Sequence, residues 1–130
     1  MPSFETVLLP DAPDVIAPDG SEVRLLASLP TGSSAEFLLH PGQVSKAVRH
    51  RTVSELWYVV TGSGQLWRRD EAAATIVALS AGVSASIPVG TAFQFRCDGN
   101  EPLKIVGTTM PPWPGDNEAE QLEGEWQPAL

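Results

Sequence analysis

The sequence predicts an all-β domain, and three observations carry that prediction. Twelve Pro and eleven Gly punctuate 130 residues, a spacing that suits short strands better than long helices. The runs between them are short, apolar and rich in β-branched and aromatic residues. No long stretch places apolar residues at helical period, beyond a possible turn at 117–121.

The elements follow in chain order. Val23 to Leu29 is an apolar run between Asp19-Gly20 and Pro30-Thr31-Gly32, hence a strand between turns. Ser34 to Leu39 is a second strand, stopped by His40-Pro41-Gly42. Lys46 to Thr52 is basic and polar, a strand with one face on solvent. Leu56 to Val60 reads as a buried strand. Thr61-Gly62-Ser63-Gly64 reads as a hairpin turn, with Gln65 to Arg69 leading away from it. Thr75 to Leu79, Ser84 to Ile87, Ala92 to Cys97 and Leu103 to Thr109 complete the series. Turns recur at the spacing of a sandwich or barrel. Residues 1–130 form one domain by length, with a barrel core over about 22–110 and a Pro-rich acidic tail over 111–130.

Composition excludes several functions. Hydrophobic residues make up 42% and the net charge is −8, so the chain is globular and no general nucleic-acid binder. Five of the sixteen acids lie in residues 1–22 and five in 111–130. That leaves six, with all eight bases, in a nearly neutral middle; the two arms read as solvated tails. The lone Cys97 excludes a disulfide framework or a cysteine-rich zinc module. The N-terminus lacks a basic targeting region, and the uncharged stretch 72–95 is broken by Gly82, Pro88 and Gly90, so no membrane span is expected. The expected setting is the cytoplasm.

Two Gly-punctuated segments carry what chemistry there is. The first runs Gly42, Val48, His50, Glu55, Gly62, and the second Gly82, Pro88, Gly90, Phe93, Cys97. Their spacing resembles the two motifs of the cupin superfamily, G-x5-H-x-H-x3-4-E-x6-G and G-x5-P-x-G-x2-H-x3-N. The resemblance implies a small jelly-roll β-barrel, a homodimer, and an interior metal on three His and one Glu. His50 and Glu55 match that ligand set. Val48 and Phe93 stand where the other two His belong, and neither can donate to a metal. The incomplete set implies no resident cofactor, and at most a weakly held divalent ion (Fe, Mn, Ni or Zn). Cys97, in phase with Phe93, is a possible soft ligand or a small buried hydrophobe. His40, before a Pro-Gly turn, reads as a surface residue.

The expected function is binding of a small organic molecule inside the barrel. His50 and Glu55 supply the polar contacts, and Trp57, Phe93 and Val48 the apolar ones. The pair leaves three readings open: a polar anchor for a ligand, a structural relic bonded to backbone, or a general acid–base pair. A metal-dependent cupin enzyme of dioxygenase or sugar isomerase/epimerase type, and a non-catalytic interaction module, stand as alternatives. Tyr58 and Gln94 are in the opposite phase and should face outward or toward a partner. Arg49, Arg51, Arg68 and Arg69 either form an anion-binding patch or pair with acids on the surface. Trp113 should anchor an extended tail, which either covers the cavity mouth or crosses to a second subunit.

Overall fold

The computed structural model describes residues 3–130. Eleven strands follow one another: β1 (Val15–Ile16), β2 (Glu22–Leu29), β3 (Gly32–Leu39), β4 (Ala47–His50), β5 (Ser54–Thr61), β6 (Ser63–Arg69), β7 (Ala74–Ser80), β8 (Ser84–Ile87), β9 (Ala92–Cys97), β10 (Leu103–Met110) and β11 (Ala119–Leu122). They build two antiparallel sheets, ordered β1-β2-β3-β10-β5-β8 and β11-β4-β9-β6-β7. Alternation along each strand decides which side chains go inside. Glu55, Trp57 and Val59 of β5 are buried while Leu56, Tyr58 and Val60 are exposed. Phe93, Phe95 and Cys97 of β9 point into the same core, between the sheets, as Leu39, Leu66, Leu103 and Ile105.

The expected hairpin at Thr61–Gly64 is not one. β5 pairs with β10 and β8, whereas β6 pairs with β7 and β9. Gly62 sits at φ 89°, and a Cβ there would lie 2.5 Å from the Pro102 carbonyl. The chain turns over from one sheet to the other through a residue with no side chain to accommodate. The turn at 117–121 also resolves differently. A single 3-10 turn, Asp116–Glu118, leads directly into β11.

The acidic arms are fastened to the barrel. In the N-terminal arm, Glu5 accepts from the Ser28 amide at 2.9 Å and Asp14 from the Leu25 amide at 2.8 Å. The Arg24 guanidinium donates to the Pro10 and Asp11 carbonyls. In the C-terminal arm, β11 pairs with β4, placing Ala119 opposite His50. The Glu118 carboxylate accepts from the backbone of Thr52 at 2.6 Å and Val53 at 3.0 Å. Three acids expected in solvated tails, Glu5, Asp14 and Glu118, thus act as hydrogen-bond acceptors for barrel backbone.

Gln94, expected to face solvent or a partner, is fully buried beneath this chain's own tail. Its amide donates to the carbonyls of Ser45 and Trp126, each at 2.8 Å, and accepts from the Trp126 amide at 2.9 Å. Among the described residues, no helix is long and apolar enough to cross a membrane.

Candidate functional site

A cavity of about 100 Å³ opens between the sheets at one end of the barrel. β4 supplies Val48 and His50, β5 supplies Glu55 and Trp57, β9 supplies Phe93, and β3 supplies Phe37. Val48 and Phe93 are partners in register across β4 and β9. All five residues expected to contact a ligand therefore line one space. The arms close its mouth: Pro18, Asp19 and Ser21 from the N-terminal side, Trp113 and Asp116 from the C-terminal side.

His50 and Glu55 are 5% and 4% exposed. His50 Nδ1 lies 3.1 Å from Glu55 Oε2, yet among the described residues Nδ1 has no hydrogen-bond partner of acceptable geometry. Glu55 Oε1 instead accepts from the Trp57 indole N–H at 3.2 Å. Burial pushes the Glu55 carboxyl up to about 8, against the indole hydrogen bond and with help from the nearby Asp19 charge. Burial pushes His50 down to about 4, partly opposed by the Glu118 carboxylate. Both groups are therefore neutral near pH 7. Asp19 is itself raised by burial, although the Ser21 amide and hydroxyl donate to it.

The wall is a run of aromatic rings. Phe37 and Trp57 have centroids 5.9 Å apart, Trp57 and Phe93 5.7 Å, Phe93 and His50 5.2 Å, and His50 and Trp113 5.1 Å. All but the first are edge-to-face pairs, a favoured aromatic geometry. Trp113 is held over the cavity by its amide, which donates to Ser33 Oγ at 3.1 Å.

The Cupin domain family matches residues 35–109. The chain is a cupin. Among solved structures, this cupin resembles an uncharacterized conserved protein with a double-stranded β-helix domain from Klebsiella pneumoniae subsp. pneumoniae MGH 78578. The match covers 80% of this chain and 85% of that one, at 19% identity and a TM-score of 0.65. It also resembles a deletion mutant of the Bacillus subtilis oxalate decarboxylase, over 79% of this chain and 29% of that one, at 19% identity and a TM-score of 0.68. The Lactobacillus farciminis oxalate decarboxylase, in its formate complex, matches over 72% and 29%, at 23% identity and a TM-score of 0.66. These likenesses show the fold, and the cupin spans under a third of the decarboxylases' length. No curated protein matches it in sequence.

The donors present do not fit a resident metal ion. Val48 and Phe93 occupy two of the four cupin ligand positions, and the imidazole of His50 is flanked by the rings of Phe93 and Trp113. Among the described residues, no three His, Cys, Asp or Glu side chains gather where one ion would reach them. Cys97 shares the phase of Phe93 but lies in the core away from the cavity lining. Its thiol donates to the Glu101 carbonyl at 3.3 Å. Two donors leave most of an ion's coordination to water.

Other candidates are placed as follows. His40 is 51% exposed and bonds Glu22 at 2.6 Å. Arg49 and Arg51 reach Glu120 at 3.0 and 3.7 Å. Arg68 donates to the Ser86 carbonyl, and Arg69 lies over the Trp67 ring. The four arginines do not gather into an anion site. Sequence reasoning missed Asp19 and Phe37 at the cavity. Phe37 was legible from its phase with Leu39; Asp19 was hidden because Asp-Gly reads as a turn.

Proposed function

We propose that this cupin binds a small organic molecule in its barrel. The ligand's apolar body lies against Trp57, Phe93 and Trp113, and its polar handle meets His50 and Glu55. The observation that carries this reading is His50 Nδ1: a buried ring nitrogen with no partner, on the wall of an apolar cavity. A buried polar atom left unsatisfied costs about 1–3 kcal/mol, and a ligand that hydrogen-bonds it recovers that loss. A cavity of about 150 Å³ takes benzene, so this one, at about 100 Å³, suits an apolar body of about four non-hydrogen atoms.

The test is titration with compact probes: tert-butanol, tert-butylammonium and isobutyrate. Tryptophan fluorescence and melting temperature report binding. At least one probe should give a saturable change that Trp57→Phe and His50→Phe weaken. Flat titrations with all three would overturn the reading.

The opposed shifts at the pair favour a second reading, proton transfer on the bound molecule. Near pH 7 Glu55 holds a proton to give, and His50 has a site to take one. Turnover of a bound metabolite, lost in both Glu55→Gln and His50→Phe, would establish it.

A further inference from the structure

We propose that the cavity selects small organic cations, holding an ammonium group between Glu55, Asp19 and His50 Nδ1 inside the aromatic belt. The inference rests on the pocket reading above and names the class of molecule the pocket takes. Its first support is the charge of the lining, where Asp19, Glu55 and Asp116 appear but no Lys or Arg does. The basic residues nearest in sequence to His50, Arg49 and Arg51, are turned outward onto Glu120. An anionic ligand would meet carboxyl groups with no cation to receive it. Oxalate, the substrate in the decarboxylases' name, is therefore of the wrong charge for this cavity.

A second, independent support is the vacant hydrogen-bonding capacity. His50 Nδ1 and Glu55 Oε2 stand side by side at 3.1 Å with no hydrogen bond between them. An ammonium group carries three donors and no acceptor, so with Glu55 ionised one such group can donate to both atoms, and the Asp19 carboxyl lies on the same cavity lining. An alcohol has a single donor and can donate to only one of the two. A bound cation also supplies the countercharge that burial denies the two carboxyls.

The rings complete the fit. Phe37, Trp57, Phe93 and Trp113 all present surface to the cavity, and an aromatic face attracts a cation within about 6 Å of its centroid. Carboxylates and an aromatic lining together favour an alkylammonium over a neutral molecule of equal size.

The experiment compares tert-butylammonium with its near-isostere tert-butanol and with isobutyrate at pH 9, where Glu55 is ionised and the alkylammonium still charged, and at fixed ionic strength. The expected result is a dissociation constant for the cation about tenfold or more below that of the alcohol, with no saturable signal from isobutyrate. Glu55→Gln, or Asp19→Asn should the first fail to fold, should weaken the cation by a larger factor than the alcohol and so bring the two to the same level. Equal or tighter binding of the alcohol or of isobutyrate overturns the cation inference while the pocket reading stands. Silence from all three probes removes the pocket itself.

Discussion

His50 and Glu55 face each other at 3.1 Å without sharing a proton in a hydrogen bond. Burial drives their proton affinities in opposite directions, so that each is kept neutral near pH 7. Glu55 binds its proton more tightly in the folded chain than in the unfolded one, and His50 less tightly. Stability must follow pH accordingly.

Between its ordinary value of 4.5 and about 8, folding takes up a proton at Glu55, so stability falls as pH rises through that window. His50 acts oppositely between about 4 and 6.5, where folding releases a proton. The two slopes oppose one another below pH 6.5. Above it the Glu55 slope remains, and from 6.5 to about 8 it amounts to at most about 2 kcal/mol. Denaturant unfolding across that range should show the decline in the wild type and a flat profile in Glu55→Gln. An unchanged slope in the variant would place the titrating group elsewhere.

Metal affinity offers a second prediction. If Val48 and Phe93 are what deprives this barrel of a resident ion, Val48→His with Phe93→His should restore it. The double variant should retain about one equivalent of Mn or Ni through desalting, because four protein donors then face one point. Wild type should retain little. Elemental analysis decides, and a full equivalent on wild type would contradict the two-donor reading.

The motif glycines separate into two energetic kinds. Gly82 has φ 93° and open space around it, so Gly82→Ala should lose about 1 kcal/mol to backbone strain. Gly62 has φ 89° and also lies against backbone, with the Leu103 Cα 2.6 Å from any added Cβ. Gly62→Ala should lose more than about 3 kcal/mol or fail to fold. Equilibrium denaturation of the pair checks the ranking.

Much of the site is legible in the amino-acid sequence. The alternation of Glu55, Trp57 and Val59, and of Phe93, Phe95 and Cys97, fixed which side chains go inside, because a strand has only two faces. The motif spacing put His50, Glu55, Val48 and Phe93 around one space. What stayed hidden depended on segments with no period of their own. Asp19 lines the cavity from the N-terminal arm, its carboxyl held by the Ser21 amide and hydroxyl. Glu118 looked like one more tail acid, yet it binds the backbone at Thr52 and Val53. The β5–β6 corner was misread for a related reason: a Gly-rich turn looks the same whether it joins neighbours in one sheet or crosses between two.

The last prediction concerns how the tail is held. Gln94 clamps it by two hydrogen bonds to the backbone of Trp126, whose ring lies under the Arg96 guanidinium at 4.7 Å, and is itself anchored by a third to the Ser45 carbonyl. Gln94→Leu keeps the volume but leaves the Ser45 carbonyl and both Trp126 backbone groups unpaired. That should destabilise the chain by about 2 kcal/mol and speed protease cleavage within residues 123–130. Cavity binding should survive, because the elements nearer the mouth are held separately. β11 is paired to β4, Glu118 is bonded to Thr52 and Val53, and the Trp113 amide is bonded to Ser33. The probe affinities of Gln94→Leu should therefore match wild type even as its tail frays. A parallel loss of both would mean that the far end of the tail and the lid over His50 move as one piece.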